Sequence, residues 1–361
     1  MRIALAAVLC VILALSTTTA RGQTRDTLDI YVIDVEGGEA TLFVAPSGES
    51  MLVDTGWPGL DGRDADRIVA AAQDAGVSQI DHLIVTHFHT DHMGGAAQLA
   101  DRLPVVNYLD HGTTVDQAER PRAAFNRYVS LRSAGTYRTV APGDRVPIEG
   151  LDVRVIAADG AVLAAPLPGA GQPNPHCTGF SFHGADILSR YGDAEDQQSV
   201  SAVVGFGEFR TVIMGDLTWN KEHPLMCPTN KVGTVDLYLV SHHGSDTSGS
   251  DALVQALQPR VAVMNNGPRK GGGPLTFESL GRIDGLQDLW QNHYAVLVGD
   301  ANQPETFIAN LQDFDGADDA DGIHRDEAYW THIRAARDGS FTVTNSRNGF
   351  SRRYPPARGG R

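Results

Sequence analysis

Three histidines and one aspartate lie close together in the string HFHTDH, at His87, His89, Asp91 and His92. The string directly follows an apolar stretch that is typical of a buried strand. Because side chains alternate along extended backbone, His87 and His89 point the same way and can bind one metal ion. Asp91 and His92 follow in a turn and can reach a second ion. Imidazoles with a carboxylate are the ligands that zinc and similar metals prefer, so the spacing predicts a dinuclear site rather than a His-rich polar loop.

A two-metal site needs further ligands, and two later strand ends supply candidates. Asp216 follows an apolar strand, where its carboxylate can bridge two cations; capping of the next turn is the alternative role. His242 and His243 follow another predicted strand. Since adjacent side chains on extended backbone point in opposite directions, these two are not expected to bind the same ion. His242 is assigned to the second metal and His243 to the substrate side, as a donor to the developing negative charge or the leaving group; the exchange of these roles stays open.

The elements that must position these residues are strands and helices in both halves of the chain. Predicted strands occupy residues 28–35, 40–44, 51–53, 80–85, 105–109, 151–156, 200–204, 209–214, 235–240, 261–264, 294–298 and 341–344, and predicted helices occupy residues 63–75, 96–102, 117–133, 250–257 and 278–286. This mixture suits two sheets packed face to face with helices outside, in the α+β class. Residues 157–198 are rich in Gly, Pro and Ala, which is typical of a functional loop or an insertion. Residues 314–324 are acidic and predicted to form a solvated loop.

The N-terminus has the pattern of a secretory signal peptide. Arg2 precedes an apolar stretch at residues 3–15 and a small polar region at residues 16–20, so cleavage is predicted near Ala20. The apolar stretch is too short to span a membrane, and Cys10 lies inside it, which disfavours a lipoprotein. The mature protein is therefore expected to be secreted or periplasmic, without stable membrane anchoring after cleavage.

Removal of the leader leaves two of the three cysteines, Cys177 and Cys227, in Pro-rich stretches. In an oxidising compartment such a pair is expected to form a disulfide, with two free thiols as the alternative.

The formal net charge is −15. Non-specific nucleic-acid binding depends on clustered cations, so nucleic acid is disfavoured as a partner of this acidic chain. A small-molecule substrate is expected instead. The oligomeric state stays open.

The motifs occur in an order that resembles the metallo-β-lactamase superfamily: DVEGGEA at residues 34–40, LVDTG at 52–56, the H-x-H-x-D-H string, Gly-Asp at 215–216 and HHGS at 242–245. Within it, the chain is most similar to the branch of the ComEC/Rec2-type competence-protein hydrolase domain and the phosphorylcholine esterases. The likeness spans roughly residues 28–274. It implies an αββα four-layer sandwich, with the metals at one edge between the sheets. On this basis residues 1–20 are the signal peptide, 27–300 the domain with its insertion, and 301–361 an extension that completes the domain.

The chain departs from the family pattern in two places. Many members have another metal-binding histidine between the first motif and the Gly-Asp, where this chain offers only His111, His176 and His183. The first metal is then expected to be held by His87, His89, Asp216 and solvent, with weaker occupancy. Relatives of the competence protein also often carry a histidine before the proline of a later loop, where this chain has Gly273.

The resemblance predicts a metallo-hydrolase with two divalent ions, zinc first and manganese or iron as alternatives. A shared water becomes hydroxide near neutral pH, and Asp91 and Asp216 orient it. A phosphodiester or similar ester is the expected substrate. Lactones, lactams and thioesters are alternatives, as are an iron-dependent oxidoreductase and a non-catalytic binding protein.

Two further groups are expected to lie near the site. Asp54, in its Asp-Thr-Gly sequence, is expected to support the metal loop from behind. Asn265, Asn266, Arg269 and Lys270 either face an anionic substrate or form a mobile exposed loop.

Overall fold

A computed structural model describes residues 26–178, 194–311 and 328–357. The predicted signal peptide, His183 and the acidic stretch 314–324 lie outside these ranges. Within the described ranges, no helix is long and apolar enough to cross a membrane.

The described residues form strands, α-helices and short 3₁₀ turns. The strands are β1 Leu28–Val32, β2 Thr41–Val44, β3 Ser50–Val53, β4 Ile80–Ile84, β5 Val105–Asp110, β6 Thr136–Thr139, β7 Arg145–Val146, β8 Asp152–Ala158, β9 Ala161–Val162, β10 Ser201–Phe206, β11 Phe209–Ile213, β12 Leu237–Leu239, β13 Val261–Met264, β14 Asp288–His293, β15 Ile308–Asn310, β16 Thr331–Ala335, β17 Phe341–Asn345 and β18 Ser351–Tyr354. The α-helices are α1 Arg63–Asp74, α2 Thr90–Met93, α3 Ala96–Ala100, α4 Glu119–Arg132, α5 Trp219–Met226, α6 Asp251–Leu257 and α7 Pro274–Gly281.

The strands form two mixed sheets. The first has the order β18-β17-β16-β1-β2-β3-β4-β5-β6, and the second has the order β15-β14-β13-β12-β11-β10-β8-β7, with β9 paired to β8. The C-terminal strands thus join the first sheet, because β16 pairs antiparallel with β1. Strands β3 to β6 are parallel, as are β11 to β15, so each sheet has a set of carboxyl ends that meet at one edge.

Apolar side chains pack in three layers, one between the sheets and one on each outer face. Ile30 and Phe43 of the first sheet meet Val204 and Val263 of the second in the central core. The helices α1, α3 and α4 cover the first sheet, and α5, α6 and α7 cover the second. Because both faces of the central strands are covered, a strand such as β13 (VAVM) is apolar along its whole length rather than alternating. The predicted αββα four-layer sandwich is confirmed.

Two predicted elements near the C-terminal side of this sandwich are wrong. In place of the strand predicted at residues 294–298, the structure has the earlier strand β14. The polar residues of β14 kept it from being recognised as a strand in the sequence. Gln291, Asn292 and His293 are buried beside polar partners: Gln291 Nε2 donates to Asn302 Oδ1, Asn292 Nδ2 donates to the Ile33 carbonyl, and His293 Nε2 lies 2.8 Å from Asp34 Oδ1. The helix predicted at residues 278–286 begins earlier, as α7, where a proline stands in the first turn.

The described part of the predicted insertion contains one disulfide. It joins Cys177 to Cys227, which directly follows α5, as the sequence predicted. The last residues of the insertion, Glu195 and Asp196, lie at the edge where the parallel strands end, and both are buried.

Candidate metal centre

The H-x-H-x-D-H string lies in a loop that follows β4, and a buried aspartate holds the loop from behind. Asp54 accepts hydrogen bonds from the Thr86 amide at 2.7 Å and the Thr86 hydroxyl at 2.6 Å. It also lies 2.7 Å from His92 Nδ1. A hydrogen bond donated by Nδ1 to the Asp54 carboxylate fixes the ring so that Nε2 faces the site, which is how proteins usually orient a metal-binding histidine. This agrees with the supporting role expected for Asp54.

Four buried side chains form what we term the second group: Asp91, His92, Asp216 and His243. His92 Nε2 lies 3.3 Å from Asp91 Oδ2, 3.2 Å from Asp216 Oδ2 and 3.2 Å from His243 Nε2. His243 Nε2 lies 3.3 Å from Asp91 Oδ2 and 3.5 Å from Asp216 Oδ2. Four tetrahedral ligand atoms at zinc-binding distance would lie about 3.3 Å from one another. The spacing and the donor types therefore fit one divalent ion.

Three further side chains form the first group: His87, His89 and Asp196. His89 Nδ1 lies 2.9 Å from both His87 Nε2 and Asp196 Oδ1. His87 Nε2 lies 3.5 Å from Asp196 Oδ1 and 3.9 Å from Asp216 Oδ2. Asp216 thus stands between the two groups, where one carboxylate can bridge two cations.

Adjacent residues His242 and His243 converge on this region because the backbone there is not extended. Their φ angles are 53° and 55°, in the left-handed region that such residues seldom adopt. The turn is held by hydrogen bonds from the His242 amide to the Gly215 carbonyl and from the Ser245 amide to the His242 carbonyl. Both imidazoles therefore approach Asp216 Oδ2, within 3.2 Å for His242 and 3.5 Å for His243. The expectation that they point in opposite directions is wrong, since it assumed a strand.

The surroundings of the two histidines differ in a way that bears on their roles. His243 belongs to the second group, whereas His242 Nε2 reaches Asp216 from the side of the open pocket. His242 Nδ1 lies 3.1 Å from the Ser248 hydroxyl and 3.2 Å from the Thr247 hydroxyl. His242 also belongs to a third candidate metal group, with Asp196 and Asp216. The assignment of His242 to a metal ion and of His243 to the substrate therefore stays a prediction.

Charges within the cluster set the protonation of its members. Burial opposes ionisation of Asp216, but His242, His92 and His243 outweigh it and hold the pKa of Asp216 well below its usual range. Burial disfavours the charged form of His92, yet the neighbouring carboxylates, Asp216 first, raise its pKa well above the usual value. Burial and neighbouring imidazoles lower the pKa of His87 well below the usual value. Ionised carboxylates and neutral imidazoles bind metals, so binding at His92 displaces a proton.

Asp196 is the ligand candidate that the sequence interpretation missed. It follows an irregular stretch with no strand pattern before it, so nothing in the local sequence marked it. Its neighbour Glu195 is fully buried and accepts hydrogen bonds from the Phe88 amide at 3.1 Å and the Val115 amide at 2.9 Å. Because Phe88 stands between His87 and His89, Glu195 ties the segment that carries Asp196 to the first motif.

The other histidines considered for the first metal lie elsewhere or outside the described residues. His111 Nε2 lies 2.9 Å from Glu195 Oε1 and is buried. His176 is exposed beside Cys177. Neither belongs to a candidate metal group among the described residues. The expected set of His87, His89 and Asp216 thus gains Asp196.

A pocket of about 330 Å³ opens onto the cluster. Asp91, Asp196, Asp216 and His242 form its floor. Larger grooves exist, such as one of about 660 Å³ beside α7, but no candidate metal group of the described residues lies there. We take the smaller pocket as the active-site candidate, because titratable groups converge in it.

Residues 34–186 match the metallo-beta-lactamase superfamily. This match covers part of the chain and agrees with the resemblance that the order of the motifs predicts. Recombination protein 2 of Haemophilus influenzae is 25% identical over 246 residues, which cover 67% of this chain and 25% of that protein. This chain thus spans about a quarter of that relative's length, and the match supports the predicted branch of the family.

Solved structures with a related fold were also found. The metallo-beta-lactamase fold protein YhfI from Bacillus subtilis is 11% identical, with 74% of this chain and 96% of that chain covered and a TM-score of 0.44. Tm1679, a metal-dependent hydrolase of the beta-lactamase superfamily, is 14% identical, with coverage of 74% and 97% and a TM-score of 0.43. The family match and the ligand groups of this structure support the prediction of a metallo-hydrolase.

Proposed function

We propose that this chain is an exported hydrolase that uses two divalent ions to cleave a phosphodiester or a similar ester of a small molecule. The observation that supports it most directly is the joining of the two ligand groups through Asp216. Such a bridging carboxylate holds two cations close enough to act on one substrate bond. Zinc fits the imidazole and carboxylate donors, and manganese and iron accept the same set.

In this proposal His87, His89 and Asp196 hold the first ion. Asp91, His92 and His243 hold the second, and Asp216 is shared. When bound, the pair of ions would lower the pKa of a shared water and polarise the scissile oxygen. The carboxylates of Asp91 and Asp216 would orient that water by accepting its hydrogen bonds.

The roles of the two adjacent histidines are exchanged relative to the expectation from the sequence. We assign His242 to the substrate, since its Nε2 faces the pocket floor. A hydroxyl of Thr247 or Ser248 that donates to Nδ1 leaves the ring proton on Nε2. From there His242 can donate a hydrogen bond to the leaving-group oxygen and stabilise its developing negative charge. His243 takes the metal-binding role, and its carbonyl anchors a neighbouring loop.

The proposal extends to location and partners. The signal-peptide pattern of the sequence and the disulfide between Cys177 and Cys227 support export to an oxidising compartment. The net charge of −15 supports a small-molecule substrate over nucleic acid. Mass spectrometry of the exported chain would test this part, and an intact N-terminus before Ala20 would contradict it.

The deciding experiment is hydrolysis of bis(p-nitrophenyl) phosphate by the protein loaded with zinc or manganese. We expect turnover, and we expect Asp216→Ala to abolish it while the circular dichroism spectrum stays native. Parallel assays with a lactone, a β-lactam and a thioester define the alternatives. Turnover of one of those substrates without the phosphodiester would overturn the proposed bond, and a wild-type rate in Asp216→Ala would overturn the proposed site.

A further inference from the structure

Lys270 lies at the mouth of the active-site pocket and is the one lysine or arginine among the described residues that line it. Its side chain is 39% exposed, and its ammonium contacts Asp91 Oδ2. The other titratable groups that line the pocket are carboxylates and imidazoles, which are assigned to metal ions or to the leaving group. A single cation at the mouth of such a pocket is placed to meet a negative charge that enters from solvent.

The backbone around Lys270 is tied to the metal centre. The Gly272 amide donates to the His243 carbonyl at 2.9 Å, and the Gly267 amide donates to the Lys270 carbonyl at 2.9 Å. At Gly271 a Cβ would lie 2.0 Å from the His243 carbonyl oxygen, so the loop approaches too closely for any side chain. This close approach explains the glycine at this position of the Gly-rich sequence.

An aromatic ring holds the lysine side chain from the other side. The Lys270 ammonium lies 4.8 Å from the centre of the Trp57 ring, within the range of a cation–π interaction. Trp57 is itself fixed, because its amide donates to Asp64 Oδ2 at 2.8 Å. The position of the ammonium is therefore supported by a ring and by a loop, independently of Asp91.

The Asp91 carboxylate cannot bind the Lys270 ammonium and a divalent ion equally well at the same time. As a member of the second group, Asp91 Oδ2 lies 3.3 Å from both His92 Nε2 and His243 Nε2. A divalent ion in that group neutralises the carboxylate and repels the ammonium. The ammonium then needs another anion, and the pocket that it borders is where one can enter.

We propose that Lys270 has two competing partners, Asp91 and the negative charge of a bound phosphodiester, and that a divalent ion bound by Asp91 would favour the second. The inference rests on the proposed function for the identity of the anion. It makes Lys270 a specificity-determining residue for anionic over neutral esters, and it also makes the lysine a competitor of the second metal ion.

The test compares Lys270→Met with the wild-type protein in two measurements of opposite sign. Titration calorimetry with Mn²⁺ should show tighter binding of the second ion in the variant, on the order of tenfold, because no ammonium has to leave Asp91. The KM for bis(p-nitrophenyl) phosphate should rise on the order of tenfold, since the anion loses a charged donor. The KM for the neutral ester p-nitrophenyl acetate should change less than about twofold.

Three controls separate charge from shape and from general damage. Lys270→Arg should keep a KM for the diester close to the wild-type value. Lys221→Met, which removes a lysine whose ammonium instead contacts the Gly160 carbonyl, should change neither measurement. Inorganic phosphate, titrated into the metal-loaded protein, should bind more weakly to Lys270→Met than to the wild type.

Two results would overturn the inference. One is an unchanged phosphate affinity and an unchanged diester KM in Lys270→Met. The other is an equal loss for the diester and the neutral ester. If the wild type binds phosphate in a Lys270-dependent manner but does not hydrolyse the diester, the anion site stands and the proposed function fails.

Discussion

The two ligand groups of the metal centre are built differently, although they share Asp216. In the second group, His92 Nε2 and His243 Nε2 lie 3.2 to 3.5 Å from each other and from the oxygens of Asp91 and Asp216, close to the edge lengths of a tetrahedron. In the first group, His87 and Asp196 are buried, but the side chain of His89 is 24% exposed. Asp216 also lies farther from His87, at 3.9 Å.

This difference follows from how the chain supplies the ligands. Asp91 and His92 lie in one turn of α2. The hydrogen bond between His92 and Asp54 fixes the His92 ring, and the hydrogen bond from the Gly272 amide to the His243 carbonyl fixes the His243 backbone. The first group instead depends on Asp196, which lies outside the strands and near the end of the Gly- and Pro-rich stretch 157–198. We infer that the second group is preorganised for its ion, and that the first exchanges its ion more readily. The three predictions below test this contrast.

The largest effect is expected from Asp216→Ala, because Asp216 is the residue common to both groups. Loss of the bridge should reduce the metal content from about two ions per chain to well below one, and kcat should fall by at least about a thousandfold. Elemental analysis after gel filtration, with thermal unfolding to confirm the fold, checks both values. Asp101→Ala, an exposed aspartate at the end of α3, is the matched control and should keep both ions. A variant that loses only one ion would show that Asp216 does not bridge.

A smaller effect that separates the groups is expected from Asp196→Ala and His243→Ala. Each should remove about one ion, but from opposite groups. When the wild-type protein is exposed to a dilute chelator, we expect a fast and a slow phase of metal release. Asp196→Ala should lack the fast phase, since the more exposed first group releases its ion first. His243→Ala should lack the slow phase. Loss of the slow phase in Asp196→Ala would reverse the contrast between the groups.

The ligands in the H-x-H-x-D-H string could be predicted from the sequence, whereas the ligands from the later part of the chain could be predicted only in part. His87, His89, Asp91 and His92 were found because strand alternation and close spacing are local properties. Asp216 was found because it ends an apolar strand. These residues are brought together in the structure, although their binding of metal stays a prediction.

The failures arose where tertiary contacts decide the conformation. The roles of His242 and His243 were expected from an extended backbone, but hydrogen bonds to Gly215 and within the turn impose positive φ angles. Asp196 was missed because its position depends on contacts of Glu195 with residues about 80 to 107 positions away. No local pattern encodes such contacts. β14 was missed for the related reason that its buried polar residues are paired with distant groups.

The smallest effect is expected from Glu195→Gln, which tests why the first group forms at all. Glu195 Oε1 accepts from the Phe88 amide and Oε2 accepts from the Val115 amide, so both oxygens face backbone N–H donors. A glutamine must turn its NH₂ group toward one of these donors, and one hydrogen bond is lost. Since Glu195 binds no metal in our assignment, it acts through the position of Asp196 and His89.

We therefore expect Glu195→Gln to weaken binding of the first ion by about ten- to a hundredfold, as for other residues that orient metal ligands, and to leave the second ion in place. Competition titration against a coloured chelator measures the two affinities separately. Glu208→Gln, an exposed glutamate in the turn between β10 and β11, is the matched control and should change neither. An equal loss at both groups would mean that Glu195 supports the whole sheet edge, and the contrast between the groups would then lie in exposure alone.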